Sequence, residues 1–599
     1  MRWLLIPLLL LMRWFGQQDM DAAIWYDEWF SVRQAGGGNF GPLTIGEVWQ
    51  HVMEDVFETP AHYILLSEWG KLVGWTEYAA RALSLLLGLL AASWMYRLGR
   101  DLFSPLVGLS AATIFGMSAL YLYHMHQMRT YTLLALLSIV VVWCYWRVIQ
   151  SPAARWKQAA LVLSTTALLY THYMGALIPA ALALYHLIFV RKDRHWWAVV
   201  GLFALALLLF VVPWFGEIYH TVTHAGTNEE RQMLGLSTPE LLTKSAYQFG
   251  NASIAFAALF IIAAAVVRGK NTRFVWVVTL GALGLAVLVN TLLPVLRHAR
   301  YLMPVWPLLA LLMGLGVGPL HARRIHAGLT LGMWVIAGAW LSISPEFSAD
   351  IRGGAYADLP WHTLVDTLDA RSADEDVIAY HRPDNAWAIE EIFDYYLDHV
   401  PGRRGILELL PGRDDNNEFL REAELFIGDA PRVWLVTDKI GEPNFRLEEI
   451  RLALASGYEA CGTVFDLPAM KLDLYAREPS ESPAFTFGEG IGLYMVEPVP
   501  AVAADTLSLT LGWMVSEDVP PHTYSVGVHV DNAAGQLVTQ ADYPLPEEGY
   551  HCPFVQLDLR PLPPGEYQVR VVVYDFSTGT RLTDDQGNDR PLLGSVTRP

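Results

Sequence analysis

Asp27 and Glu28 stand side by side in the run Trp25-Tyr26-Asp27-Glu28-Trp29-Phe30-Ser31, two carboxylates in a setting otherwise made largely of aromatic rings. Two situations suit that pattern. One is an interfacial belt, in which Trp and Tyr sit at headgroup depth and the acids are solvated. The other is a reaction site, in which a carboxylate takes a proton from a substrate hydroxyl. Other polar residues stand in similarly apolar surroundings: Arg129 near Tyr131, Arg300 next to Tyr301, and His62, His172, His124 and His126. Two histidines without a clear carboxylate partner are a thin metal signal. No cofactor is therefore expected with certainty, and a divalent metal has only that support.

The elements that carry these residues decide between the two situations. Of the 599 residues, 53% are hydrophobic and only 17% charged, too apolar for an ordinary soluble chain. Crossing hydrocarbon takes about 20 mostly apolar residues in a helix. Runs of about that length recur at roughly 78–96, 106–122, 131–149, 158–174, 176–190, 196–213, 252–267, 274–293, 302–319 and 328–344, and none follows Pro345. Trp3–Phe15 is counted as a further, short span; a cleaved signal peptide is its rival. That makes about eleven spans.

Charge divides at the same point. Up to residue 345 there are 23 Lys and Arg against 16 Asp and Glu; beyond it there are 18 against 44. Arg97 and Arg100, Arg147 to Lys157, Arg191 to Arg194, and Arg268 to Arg273 fall in one set of loops, while the alternate short loops are cation-poor. By the positive-inside rule the first set is cytoplasmic. The expected protein is a multi-pass plasma-membrane chain with its N-terminus inside and its acidic C-terminal part extracytoplasmic.

Three parts follow: a membrane region over 1–345 with an outer loop at 16–77, an α/β region over 346–480, and a β-sandwich over 485–599. In the outer loop, 44–57 and 60–73 have helical periodicity and suit helices lying along the interface. A second long outer loop, about 214–250, holds Glu229, Glu230 and Arg231. Residues 361–478 alternate short strands with helices, and from about 485 the chain has period-2 strands separated by turns. Nothing in this tail looks catalytic. Asp374, Glu375 and Asp376 read as a solvated acidic turn, and Trp513 as a packing residue more than a sugar platform. Cys144 lies in a span; Cys461 and Cys552 are far apart, and unpaired thiols are the expected state.

The Asp27-Glu28 pair in the first outer loop resembles the signature of the GT-C glycosyltransferases, in particular the protein mannosyltransferase and aminoarabinose transferase branch. Pro60-Ala61-His62-Tyr63-Ile64-Leu65-Leu66 is similar to that family's Pro-Pro-Leu-Tyr-Tyr segment. Arg81-Ala82-Leu83-Ser84 with Tyr96-Arg97-Leu98-Gly99-Arg100, Gln127-Met128-Arg129-Thr130-Tyr131, Tyr170-Thr171-His172-Tyr173 and Arg300-Tyr301-Leu302-Met303-Pro304 continue it in order, over about residues 10–320. Two departures stand out. Gln127 replaces the family's acid at its turn, so one essential carboxylate is expected at the outer face. Glu58-Thr59-Pro60 replaces His-Pro-Pro, so Glu58 or His62 has a changed role.

The resemblance implies an inverting transfer of a monosaccharide from a polyprenyl-phosphate donor to a hydroxyl of protein, lipid or glycan, within membrane lipid and without nucleic acid. Asp27 would be the general base and Glu28 its orienting neighbour. Arg129 and Arg300 would hold the departing phosphate beside Tyr131 and Tyr301, with hydrogen bonds from His62 and His172. The leaving phosphate needs no proton, because the second pKa of a phosphate monoester is about 6. A transporter of lipid-linked saccharides would instead show broken or charged helices near the midplane and paired repeats. A receptor with a glycan-binding outer domain would not need Asp27.

Overall fold

The structure, a computed structural model, describes the chain except residues 1, 55–57, 152–153, 225–235, 293–295, 297, 321–323, 353–358, 382–386, 408–414, 440–446 and 504. Two compact units result, Met1–Ala357 and Asp358–Pro599.

The first unit is helical, and the apolar runs of the sequence fall on its helices. Four are long and apolar enough to cross a membrane: Glu77–Leu102, Tyr131–Gln150, Arg194–His220 and Lys270–Leu292. Three further stretches are bent pairs: Pro105–Gly116 with Ala119–Met125 (69°), Thr238–Phe249 with Ile254–Ala264 (90°), and Ala327–Ser342 with Pro345–Arg352 (76°). Leu5–Gly16, Tyr173–Phe189 and Trp306–Pro319 are apolar but shorter. By length and composition the described residues hold four to seven spans, fewer than the eleven expected. Hydropathy reports how apolar a stretch is, not where its helix breaks.

The breaks are themselves organised. A bent helix frees backbone groups that apolar surroundings cannot satisfy, so neighbours must supply partners. Asn251, between Thr238–Phe249 and Ile254–Ala264, does this for two bends at once. Its Oδ1 accepts from Ala119 N–H at 2.8 Å, and its Nδ2 donates to the carbonyls of Met117 at 3.0 Å and Trp334 at 3.2 Å. Ser118 Oγ donates to Phe249 O at 3.2 Å. Helix Ala119–Met125 thus leaves its bend in a fixed direction, toward the turn that carries Arg129.

In the first outer segment the two expected interfacial helices are Ile45–Glu54 and Ala61–Val73. A third, Tyr26–Ala35, contains the acidic pair and was not apparent from the periodicity. It ends at Gly36, whose φ of 75° lets its N–H turn back onto Val32 and Arg33 carbonyls, a conformation that glycine adopts at little cost. Of the second long outer loop, Glu229, Glu230 and Arg231 lie outside the described residues.

The second unit begins with a five-stranded sheet, in the order Arg403–Ile406, Val377–His381, Arg432–Asp438, Met470–Ala476, Glu459–Asp466. The first three strands are parallel and the last two antiparallel. A β-sandwich follows, its four-stranded sheet built on Tyr524–Asp531 and Gly565–Asp575 and its other sheet on Thr506–Val515. Trp513 is fully buried in the sandwich core, with its indole donating to Tyr543 Oη at 3.0 Å. It is a packing residue. Asp376 is not solvated as expected. It is fully buried and accepts from Arg432, the Trp434 indole and Ala373 N–H, each at 2.9 Å. Asp374 and Glu375 do stay exposed.

Cys461 and Cys552 are joined in a disulfide across 91 residues, contrary to the expectation of free thiols. Sequence spacing could not reveal it, since the bond ties the α/β sheet to the sandwich. Bridging so long a loop restricts the unfolded chain, an effect of about 2–4 kcal/mol. Cys461→Ser and Cys552→Ser are each expected to lower the unfolding temperature of the full chain and to abolish its mobility shift on reduction. Unchanged unfolding would show that the crosslink carries no stability.

Candidate functional site

Asp27 and Glu28 lie in the first turn of helix Tyr26–Ala35, where negative charge meets the positive end of the helix dipole. Their side chains then part. Glu28 is fully buried against Arg81 at the start of Glu77–Leu102, with Nε to Oε1 at 2.9 Å and Nη2 to Oε2 at 2.5 Å. Arg81 also donates to the carbonyls of Asp19, Met20, Ala22 and Ala23, at 3.1, 3.0, 2.5 and 3.2 Å. Glu28 Oε1 further accepts from Met128 N–H at 2.8 Å. One carboxylate therefore fixes the stretch 19–23, the helix of Asp27 and the turn of Arg129.

That turn delivers Arg129 back to Asp27. Nη1 of Arg129 donates to the Asp27 carbonyl at 2.9 Å and to Ser31 Oγ at 3.2 Å, while Nη2 pairs with Glu58 at 3.1 Å. Gln127 accepts from the Trp25 indole, so it braces the turn and carries no charge. The second carboxylate beside the turn is supplied by Glu58.

Arg300 reaches Asp27 from the other side. Its Nη2 lies 2.7 Å from Asp27 Oδ2, and its guanidinium sits 5.7 Å from the centre of the Tyr131 ring. Tyr131 and Tyr301 flank His172, with ring centres 6.2 and 5.8 Å from it. His172 Nδ1 accepts from Met174 N–H at 3.0 Å. His62 is fully buried, with Nε2 at 3.4 Å from Met128 O. All eight residues to which the resemblance assigns a role thus join one contact network, in which Glu28 and His62 face the supporting side. Arg81, Ser31 and Glu58 complete it. Arg81, Glu58 and Ser31 were legible only as members of motifs.

Burial by itself raises the Asp27 carboxyl, but the Arg300 and Arg129 guanidiniums outweigh it and hold the group below the usual carboxylate range. Asp27 is therefore ionised at neutral pH. Burial pulls His62 down to about 4, helped by Arg129 and opposed by the Met128 carbonyl. His62 is then neutral at neutral pH, with its proton on Nε2, because a carbonyl can only accept. The Nε atoms of Arg129 and Arg300 are both buried without an acceptor among the described residues. Two charged donors left open beside an ionised carboxylate suit an anion. Among the described residues no three His, Cys, Asp or Glu come together as metal ligands would.

Residues 58–215 match the model of the dolichyl-phosphate-mannose-protein mannosyltransferase family. The matched stretch includes Glu58, His62, Arg129, Tyr131 and His172, with Asp27 ahead of it and Arg300 beyond. A search of curated proteins found no match. Among solved structures, ArnT from Cupriavidus metallidurans bound to undecaprenyl phosphate aligns at 15% identity, with 79% of this chain and 97% of that one covered and a TM-score of 0.49. The apo form of ArnT gives 16% identity, the same coverage and a TM-score of 0.48. The archaeal oligosaccharyltransferase AglB from Archaeoglobus fulgidus gives 10% identity, 96% and 97% coverage and a TM-score of 0.44.

The geometry sets two expectations for stability. Arg81→Met leaves Glu28 buried without its cation, which costs about 3–5 kcal/mol; thermal unfolding should show a loss of that size. His62 binds a proton less readily folded than unfolded, so the unfolded chain takes up more protons between about pH 6.5 and 4. Stability should fall across that window as pH drops, and His62→Gln should reduce the fall.

Proposed function

We propose that this chain, a membrane glycosyltransferase of the GT-C type, moves a monosaccharide from a polyprenyl-phosphate carrier to an acceptor hydroxyl, with Asp27 as the general base. The observation that carries the reading is the convergence on Asp27 of Arg300, through an ion pair of 2.7 Å to its carboxylate, and of Arg129, through a hydrogen bond of 2.9 Å to its backbone carbonyl. The family match adds the donor class, since that family is named for a dolichyl-phosphate sugar.

In this reaction the acceptor oxygen attacks the anomeric carbon while the bond to the phosphate oxygen breaks. Asp27 takes the acceptor's proton, and the electron pair leaves with the phosphate, which gains one negative charge. A single displacement inverts the anomeric centre. Arg129 and Arg300, aimed from two sides, stabilise that growing charge. Glu28 is a positioning residue: Arg81 and Met128 N–H occupy its oxygens, and through them it sets where Asp27 and Arg129 stand.

Arg300 has two successive partners on this account. Before the donor binds, it holds Asp27 as a weak base. The donor's phosphate then draws Arg300 away, and the Asp27 carboxyl rises toward its ordinary value, gaining proton affinity when an acceptor is attacked. The Cys461–Cys552 disulfide supports an extracytoplasmic location for the C-terminal unit, because such bonds persist in oxidising compartments. The acidic charge of that region and the basic loops of the membrane unit support the same orientation.

Asp27→Asn is expected to lower transfer from undecaprenyl-phosphate mannose by about 100- to 10,000-fold while leaving binding of the bare carrier in place. Normal turnover by that variant would remove Asp27 as the base. The acidic limb of kcat should lie at higher pH than that of kcat/KM, since kcat/KM reports the free enzyme and kcat the loaded one. Coincident limbs would show that Arg300 never leaves Asp27.

A further inference from the structure

Helix Ala119–Met125 and the turn after it carry polar side chains that the mechanism above leaves unused. Tyr123, His124, His126 and Thr130 are all buried, at 3%, 1%, 4% and 1% exposure. Tyr123 Oη, both ring nitrogens of His124, Nδ1 of His126 and Oγ1 of Thr130 have no hydrogen-bond partner among the described residues. Unmade hydrogen bonds are costly at buried sites and therefore rare. Near the bend the polar groups are paired: Tyr121 Oη donates to Gly88 O at 3.3 Å, Ser118 Oγ donates to Phe249 O, and Asn251 accepts from Ala119 N–H. The open positions gather at one end.

That end adjoins the reacting groups. The His124 ring lies 4.5 Å from Tyr131, the ring that Arg300 covers while pairing with Asp27. The Tyr123 ring is 5.3 Å from His124 and 5.2 Å from His126. Arg352, Glu28, Arg300 and Asp27 act electrostatically on Tyr123, Arg81 and Arg352 on His126, and Arg300 and Arg129 on His124.

We infer that Tyr123, His124 and His126 form the pocket that recognises the hydroxyl groups of the donor's sugar, and that this sugar carries no positive charge. The inference rests on the donor reading above and adds a site and a substrate class to it. A phenol and two imidazoles can each both donate and accept, which is what neighbouring sugar hydroxyls require. An amino sugar would need a spare carboxylate. Glu58 is committed to Arg129, Glu28 to Arg81, and Asp27 to Arg300 and the acceptor's proton. A metal ion fits less well, since among the described residues no third His, Cys, Asp or Glu joins the two histidines.

The test measures binding by the full chain in lipid nanodiscs. The probes are bare undecaprenyl phosphate, undecaprenyl-phosphate mannose, and undecaprenyl phosphate carrying 4-amino-4-deoxy-arabinose. Wild type should favour the mannosyl over the aminoarabinosyl carrier. His124→Ala and Tyr123→Phe should each weaken the mannosyl carrier by about tenfold, the scale of one lost hydrogen bond, and leave the bare carrier unchanged. His124→Gln, which keeps a donor and an acceptor, should recover part of the loss. Unchanged mannosyl binding in both variants overturns the pocket alone, leaving only water there, and a wild-type preference for the amino sugar overturns the exclusion of a positively charged sugar. Loss of the bare carrier in both variants also overturns the pocket, since it assigns these residues to the phosphate or to folding. Failure of wild type to bind any of the three lipids overturns the donor reading itself, and the pocket with it.

Discussion

Arg81 and Glu28 bury opposite charges against each other, and the placement of Asp27 and Arg129 in the membrane unit follows from that pair. Taking two charges out of water is expensive, and their attraction offsets the cost only when the remaining donors and acceptors are also satisfied. Here they are. The guanidinium gathers the carbonyls of residues 19–23, and the carboxylate takes the Met128 amide. What the pair supplies is register. Helix Tyr26–Ala35 can rotate or slide only by breaking it, and the turn from His126 to Thr130 can move only by losing the same carboxylate. Asp27 and Arg129 inherit their positions from their neighbours.

The reacting groups also restrain one another. Asp27 lies between two guanidiniums, and one of these is restrained by Glu58. Without Glu58, Arg129 would bring an uncompensated positive charge beside the base. The acid absent at Gln127 is thus made good from a different segment of the first outer loop. An essential role for only one carboxylate remains compatible with this arrangement, because Glu58 is paired with Arg129.

Much of this was legible in the sequence, for reasons that differ by residue. Apolar runs marked the helices because hydrocarbon demands length, and Asp27 stood out because ionised groups are rare among rings. Arg129, Arg300 and their tyrosines were visible through motif order. What escaped notice depends on contacts between distant segments. The bends at Ser118 and Asn251 exist because each supplies the other's missing partners, which no single stretch reveals. Asp376 looked like part of a solvated acidic turn until Arg432 and Trp434, more than fifty residues away, closed over it. The disulfide was hidden for the same reason, as was the helix of Asp27, whose short length and mixed composition give little periodicity.

The charge balance at Asp27 also bears on what happens after the sugar has gone. Asp27, Glu58, Arg129 and Arg300 together are neutral when empty. On the proposed mechanism, once the proton has moved Asp27 is uncharged and the cluster is one unit more positive, while the spent carrier is one unit more negative than the donor that entered. A site so charged would grip its by-product more firmly than its substrate. Under that proposal turnover would wait on the carrier's departure, and Asp27, by giving its proton back to water, would both reset the base and let the spent lipid go.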